Sequence, residues 1–489
     1  MQSHEAKAFA SALGDWEAGS GSAYRRLAGA IRGRAEAGAL PVGARLPAER
    51  SLAGALGVSR TTVVAAYELL RQDGWLESRR GSGSRVIRSG ARGAPDRSEH
   101  GGFERNTVLR SLVEASGSRI EFMGLHLPAA APYVTEALAH VKEDVSPLTA
   151  HHGYWPLGLP ALRKAIASHL TRSDVPSRLD EILVTHGAQE AIALAAALFL
   201  GPGRTVILED PTYVGALDVF AAAGARLVSV PVGELGIRLD LLREALTHEA
   251  PSLIYLMPTF QNPTGVVMPE SHRREIARMA AERGVPILED DALANLDLGQ
   301  RPPLPISAFA PSAPILSVGS LSKLMWGGLR AGWIRAPEPL IARLARRKAL
   351  GDLGNSVVSQ TLAARLLPRA EEIRESRRRQ IAERLAVMEE EMRRLLPDWT
   401  WRRPGGGLSL WVRLPRGNAA EFARVALRHG VSVLPGSTCS PSNGCSEFLR
   451  IPYVLEPGKI REGLRLLARA WSSYAPAERK ERAALEVLV

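Results

Sequence analysis

Ser320-Leu321-Ser322-Lys323, with Arg330 seven residues on, follows an apolar stretch in the second half of this 489-residue chain. A lysine at a strand end beside an anion-binding turn can attack a carbonyl and form a Schiff base. Four other segments precede it. Thr185-His186-Gly187-Ala188-Gln189 follows a strand-like run and opens a helix-like one, where small residues leave backbone N–H groups free for a phosphate. Asp210-Pro211-Thr212-Tyr213 puts an aromatic at a strand end, where it can stack on a flat ring. The loop Pro258-Thr259-Phe260-Gln261-Asn262-Pro263-Thr264-Gly265 offers Asn262 as a hydrogen-bonding group. Glu289-Asp290-Asp291 closes an apolar run, and strand-end carboxylates in α/β sheets face the ligand crevice. Taken singly, each has an ordinary reading: a turn, a core aromatic, a rigid loop, a solvated lysine. No His or further carboxylate cluster stands beside the acidic group, so no metal site is expected.

The elements that must position these residues begin at Arg119. Strand-like runs at 182–185, 205–208, 227–230, 253–256, 286–289 and 315–318 are interleaved with helical stretches at 188–200, 214–223, 239–247 and 270–283. Such alternation predicts a mostly parallel sheet covered on both faces. The chain is too long for one ordinary core, and two or three domains are expected. With hydrophobic residues at 45% and charged residues at 23%, wholesale disorder is excluded. Two cysteines, Cys439 and Cys445, exclude a disulfide scaffold and, with no second pair, argue against zinc. The longest apolar run, 191–200, is far short of the ~20 residues that span a bilayer. With no signal-peptide pattern at the N-terminus, a soluble cytoplasmic protein is expected.

Charge locates a second activity. The chain carries a net +11, and residues 1–95 hold 14 Lys and Arg against 8 Asp and Glu, a net +6 in a fifth of the length. In that region 48–56 reads as an amphipathic helix with Leu52, Ala55 and Leu56 on one face, broken by Gly57. Ser59 is placed to cap a second helix, 60–72, with Val63, Tyr67 and Leu70 on its apolar stripe. Two short helices about a Gly turn form a helix-turn-helix. A short hairpin follows, 75–77 with 85–87, whose tip Arg79-Arg80-Gly81-Ser82-Gly83-Ser84 is basic. Residues 89–118 are rich in Gly, Ser and Arg and read as a linker.

The run LPAERSLAGALGVSRTTVVAAYELLRQDGWLESRRGSGSRV resembles the winged helix-turn-helix of the GntR family nearly position for position. The resemblance implies a DNA-binding domain over 20–88, with contacts from Arg45, Arg50, Ser59, Arg60, Thr61, Thr62, Arg79, Arg80, Gly81 and Gly83. Residues 119–478 resemble the class I/II aminotransferases of pyridoxal-phosphate (PLP) fold type I, and Gly158, Leu162-Arg163 and the run 448–452 (FLRIP) fit the same pattern. That implies an α/β domain with a large subdomain over about 150–350 and a small one from 119–149 and 351–478. It also implies Lys323 as the internal aldimine, Asp290 on the pyridine nitrogen, Asn262 on the 3′-oxygen and Tyr213 stacked on the ring. Ala188, Gln189, Ser320, Ser322 and Arg330 would line the phosphate, and Arg450 would anchor an amino-acid carboxylate; Asn355 and Tyr154 are further candidates for the pocket wall.

In this order the two parts resemble the MocR subfamily of bacterial transcriptional regulators. The resemblance implies a homodimer that reads two half-sites on double-stranded DNA and responds to PLP or to its adduct with an amino acid or amine. One departure stands out. The family's tyrosine two or three residues after the aspartate is replaced by Ala292 and Leu293. Slow or absent transamination is therefore expected, unless Tyr213 or Tyr255 substitutes. The alternative is an active aminotransferase with a vestigial DNA-binding domain, and the basic wing and the missing tyrosine weigh against it. A regulator that senses PLP without any amino acid is a further alternative, and Arg450 weighs against that one.

Overall fold

The computed structural model describes residues 6, 9–14, 16, 23–36, 39, 40, 44–72, 75–79, 83–86, 119–442 and 444–474. Contacts divide the chain into two units, Met1–Ser98 and Glu99–Val489. The linker expected over 89–118 lies outside the described residues, as do Arg80, Gly81 and Ile87.

In the first unit, α1 (Ala23–Glu36), α2 (Glu49–Leu56) and α3 (Arg60–Gln72) enclose a core of Leu27, Ile31, Leu52, Val63, Ala66, Tyr67 and Leu70. Gly57 ends α2 in the left-handed region (φ 69, ψ 23), returning its N–H to the Ala53 carbonyl, a geometry in which glycine carries no Cβ penalty. The face of α2 differs from the expected one: Leu52 and Ala53 are buried, while Ala55 and Leu56 are half-buried. The helix docks on the 52/53 side, because α3 packs against it there after a three-residue turn. Ser59 caps α3 as expected, its Oγ accepting the Thr62 N–H at 3.1 Å. The Tyr67 hydroxyl donates to the Pro47 carbonyl at 2.9 Å and pins the approach to α2.

The hairpin pairs β1 (Leu76–Arg79) with β2 (Gly83–Val86), in the register Leu76↔Val86 to Arg79↔Gly83. Its ladder therefore runs further toward the tip than the sequence suggested. Leu46 and Val86 fasten the hairpin to the 44–46 segment through Leu46 N–H to the Ser84 carbonyl and Val86 N–H to the Ala44 carbonyl, both at 2.9 Å.

The second unit is built on an eight-stranded sheet in the order β4-β11-β10-β9-β8-β5-β6-β7. Strands β4 (Ile182–Thr185), β5 (Thr205–Asp210), β6 (Arg226–Gly233), β8 (Leu253–Leu256), β9 (Ile287–Asp290) and β10 (Ile315–Ser320) run in one direction. β11 (Gly332–Arg335) lies antiparallel between β4 and β10, and the two-residue β7 (Gly236–Ile237) is antiparallel at the edge. Alternate residues feed two cores. Ile207, Ile254, Ile287 and Ile315 face one side, while Val206, Leu208, Tyr255, Leu288 and Leu316 face the other. That is the two-sided burial a parallel sheet requires. The helices fall where the apolar period placed them, among them α4 (Ala188–Phe199) and Glu270–Arg283.

A second, five-stranded sheet has the order β12-β13-β15-β14-β3. It joins β3 (Ile120–Phe122) to β12 (Thr400–Trp401), β13 (Ser409–Arg413), β14 (Val431–Pro435) and β15 (Phe448–Pro452). The 26-residue helix α5 (Ala370–Leu395) connects the two sheet regions. No helix of the described residues is long and apolar enough to cross a membrane.

Candidate functional site

The C-terminal ends of the parallel strands open into one cavity of about 370 Å³. Its walls include Gly187, Ala188 and Gln189 after β4, Tyr213 after β5, Asn262 after β8, Asp290 at the end of β9, and Ser320, Ser322, Lys323 and Arg330 after β10. Arg450 enters from β15 of the smaller sheet. The structure thus gathers at one place the residues expected to hold the ring, the phosphate and the carboxylate. Asn355 and Tyr154 are not in its wall: Asn355 is buried elsewhere with both amide atoms unpartnered, and Tyr154 is exposed. Sequence reasoning missed Leu125, His126 and Leu127, which line the cavity from the segment after β3 and belong to none of the motifs.

One end of the cavity is built for an anion. Gly187 stands just before α4 at φ 107 and ψ −178, a region open in practice only to glycine. A Cβ there would lie 3.5 Å from Ser322 Oγ, 3.7 Å from Ser320 Oγ and 3.9 Å from Arg330 Nη1, so three polar groups converge on the helix N-terminus. Arg330 itself takes a left-handed conformation (φ 48, ψ 47). Open N–H groups of a first helical turn, two hydroxyls and a guanidinium form a phosphate-sized cradle.

The floor is carboxylate chemistry. Strand alternation sends Asp290 into the cavity and Glu289 away from it, where Glu289 accepts the N–H groups of Ile306 (2.5 Å) and Ser307 (3.2 Å) and the Ser317 hydroxyl (3.0 Å). Asp290 accepts the Tyr255 hydroxyl at 2.9 Å and the Ala292 N–H at 3.0 Å. Burial pushes the Asp290 carboxyl up from its ordinary value, and these two donors with the Lys323 ammonium pull it back. Lys323 Nζ donates to the Leu125 carbonyl at 2.7 Å. Burial and the Arg450 charge bring its ammonium down to about 8, against the opposing pull of Asp290.

The remaining polar groups fasten one another. Tyr213 donates to Gln189 Oε1 at 2.9 Å, and Gln189 Nε2 donates to the Gly215 carbonyl at 3.0 Å. Burial raises the Tyr213 phenol to about 12, so it is a neutral donor at neutral pH. Both tyrosines named as substitutes for the missing one therefore have partners, Tyr213 on Gln189 and Tyr255 on Asp290. Arg450 donates from Nη1 to Asn262 Oδ1 at 3.0 Å and from Nη2 to the Met123 carbonyl, while its buried Nε has no partner. The Asn262 loop is closed by Gln261, whose N–H meets the Val266 carbonyl (2.9 Å) and whose Nε2 meets the Pro211 carbonyl (2.7 Å). Beside the cradle, His186, Glu190 and Asp352 bring potential metal-ligand atoms within 4.8 Å of one another. The Lys348 ammonium already sits between those carboxylates, 2.8 Å from Glu190 and 2.5 Å from Asp352.

In the first unit, Ser59, Arg60, Thr61 and Thr62 form the start of α3, with Ser59, Arg60 and Thr61 exposed and Thr62 half-buried. Ser59 Oγ lies 2.7 Å from the Thr61 hydroxyl and 2.8 Å from that of Thr62. A cleft beside them is lined by Arg45, Arg50, Arg60 and Ser84. Glu49 reaches Arg60 at 3.5 Å and Arg71 at 3.7 Å. The backbones of Arg79 and Gly83 end the two hairpin strands, while Arg80 and Gly81 lie outside the described residues. A helix start with three hydroxyls, beside three arginines, presents hydrogen-bonding groups and positive charge on one surface.

Two family models match the chain. Residues 23–86 match the bacterial regulatory proteins of the gntR family, and residues 131–467 match the class I and II aminotransferases. An uncharacterized HTH-type transcriptional regulator of Bacillus subtilis, YisV, is 32% identical over 442 residues, covering 87% of this chain and 91% of the relative. The probable rhizopine catabolism regulatory protein MocR of Rhizobium meliloti is 29% identical over 472 residues, covering 92% and 93%. Among solved structures, the α-aminoadipate aminotransferase LysN of Thermus thermophilus, complexed with N-(5′-phosphopyridoxyl)-L-leucine, is 32% identical with a TM-score of 0.68. It covers 74% of this chain and 94% of its own. With a gntR-type helix-turn-helix and a class I and II aminotransferase domain in order along one chain, this protein belongs to the HTH-type transcriptional regulators of the MocR subfamily.

Proposed function

We propose that the chain is a DNA-binding regulator that captures PLP covalently on Lys323 and couples ligand state at that site to operator binding. Class I and II aminotransferases bind PLP, and the pocket residues fit it. The observation that carries the reading is the convergence of three groups in one cavity: the Gly187–Ser320–Ser322–Arg330 cradle, the buried Asp290 and the amine of Lys323. When bound, PLP supplies an aldehyde for amine capture and a ring that accepts electrons from the captured amine.

The chain's residues divide the work of holding it. Arg330, Ser320, Ser322 and the N–H groups of Ala188 and Gln189 neutralise the phosphate. Asp290, kept in place by Tyr255 and Ala292, keeps a proton on the pyridine nitrogen. Asn262 holds the ring's 3′-oxygen, and Tyr213 covers the ring face. Arg450, whose Nε is buried and unpartnered, receives the carboxylate of an amino-acid effector. The protein works as a homodimer, so two winged helices address two half-sites on double-stranded DNA, with Arg45, Arg50, Arg60 and the hairpin tip at the phosphates and grooves. Ala292 and Leu293 place apolar side chains in the wall where a phenol would steady charge on the ring, and this favours capture over rapid turnover.

Borohydride reduction of the PLP-treated protein, followed by peptide mapping, tests the assignment. A single pyridoxyl label on Lys323 is expected, absent in Lys323→Ala. A label on another lysine overturns the assignment, and conversion of amino acids at ordinary transaminase rates, on the order of 1–10³ s⁻¹, promotes the enzyme reading.

A further inference from the structure

Resting on that reading of the pocket, we propose that His126 selects the effector, favouring an α-amino acid whose side chain carries a second carboxylate, which the imidazole receives. The segment Met123–Leu127 leaves β3 and runs along the cavity, where Leu125, His126 and Leu127 form part of the wall. Two of its carbonyls are held by side chains of the capture site, Arg450 and Lys323. The Met123 carbonyl accepts from Arg450 Nη2, and the Leu125 carbonyl accepts from Lys323 Nζ at 2.7 Å. His126 therefore stands on the stretch of chain that runs between the PLP-capturing lysine and the carboxylate-receiving arginine.

The ring has a defined seat. A Cβ on Gly124 would lie 2.3 Å from His126 Cδ2, so the imidazole packs directly on the glycine backbone and no other residue at 124 leaves it there. A ligand whose amine would be held by PLP beside Lys323, and whose α-carboxylate would meet Arg450, must direct its side chain at the remaining wall. Much of that wall is apolar: Leu125, Leu127, Val214, Met257 and Leu293. Among the lining residues, Asp290, Lys323, Arg330 and Arg450 have assigned partners or tasks, and Tyr213 is tied to Gln189. His126 is the titratable group left over, and the residue as a whole is exposed.

The charges around His126 indicate what it accepts. Partial desolvation of the ring at the cavity wall, with Lys323 and Arg450, lowers its pKa, and Glu121 opposes them. The imidazole that meets an arriving amino acid is thus neutral, among positive charges. A carboxylate arriving there offsets those charges, favours the imidazolium and gains a charge-assisted hydrogen bond. Binding of a dicarboxylic amino acid takes up a proton, so its affinity falls as pH rises through the bound-state pKa. Lys323 and the ligand's own amine titrate in every complex alike, and the affinity ratio between two amino acids cancels them.

The experiment uses PLP-loaded full-length protein, titrated by absorbance with L-glutamate and L-2-aminoadipate against L-norvaline and L-norleucine. The wild type is expected to prefer the dicarboxylates, with a preference that shrinks as pH rises. His126→Leu should lose about 10–100-fold in dicarboxylate affinity while holding that for norleucine, the scale of one hydrogen bond to a charged group. His126→Gln should keep part of the preference and none of its pH dependence. A wild type without the preference, or a His126→Leu protein that loses both classes equally, overturns the proposal. A Lys323 that takes no borohydride label defeats the pocket reading instead, so the two failures are separable.

Discussion

Lys323 is an ordinary amine made reactive by its surroundings. Burial and the neighbouring Arg450 bring its pKa to about 8. Only the neutral amine attacks an aldehyde, so the sign is fixed: a lowered pKa leaves more neutral amine at neutral pH. The rate of PLP capture should rise about tenfold per pH unit below 8 and level off above it. An unperturbed lysine would keep rising toward about 10.4. Stopped-flow capture across pH 6–10 checks this, and a plateau that appears only above pH 10 refutes the buried-amine account. Removing the Arg450 charge, as in Arg450→Gln, should move the break point upward. At this scale the sequence told much, because Lys323, Asp290, Asn262 and Arg330 sit in short motifs whose residue types announce their chemistry. It was silent on His126, and it offered Tyr255 only as a substitute for the missing tyrosine, not as the partner of Asp290. His126 follows a strand of only three residues whose place in the second sheet depends on pairing with β14, more than three hundred residues later. Tyr255 looks like any buried strand aromatic until β9 brings Asp290 beside it.

Elements explain why those motifs meet. Each parallel strand delivers its polar residues at its C-terminal end, and the sheet order sets β4, β10 and β9 close enough for one cavity. The strands of that core were legible as short apolar runs between helical periods. β11 was not, since a four-residue antiparallel strand inside a parallel sheet carries no period of its own, and it is seated by pairing on both sides. The five-stranded sheet was opaque for a similar reason: its members come from 120–122 and from 400–452. The junction of β4 with α4 depends on Gly187 in two ways. Its backbone angles exclude side chains, and a Cβ would point into the cradle between Ser320, Ser322 and Arg330. Gly187→Ala should therefore leave both cores intact yet weaken PLP retention by about 5–100-fold, the range set by ~1–3 kcal/mol of backbone strain. Equilibrium dialysis measures it, with the thermal midpoint as the fold control. Unchanged retention would mean that the phosphate sits elsewhere.

For the whole molecule, the uneven charge and the two contact units describe a division of labour. The first unit holds more than half of the chain's net positive charge and the helix-turn-helix, and the second holds the pocket. Phosphate neutralisation makes DNA affinity fall with salt at a log–log slope near −0.9 per contact, whatever the pocket contains. Regulation needs something else: a ligand that binds one state of the protein better than another. Such coupling is reciprocal by thermodynamic necessity. If saturating PLP and amino acid shift operator affinity by some factor, saturating operator must shift amino-acid affinity by the same factor. Typical couplings are about 5–150-fold, well within reach of direct titration. An operator is first selected from random duplexes with the full-length protein. Its affinity is then measured by anisotropy with and without L-2-aminoadipate on the PLP-loaded protein, and the amino acid is titrated by absorbance with and without that operator at the same salt. Equal factors establish one linked equilibrium through Lys323 and its pocket, and Lys323→Ala should reduce both to one while keeping the salt slope. Factors of one in the intact protein would show that the two units share a chain without sharing a signal, and would return the pocket to the enzyme reading.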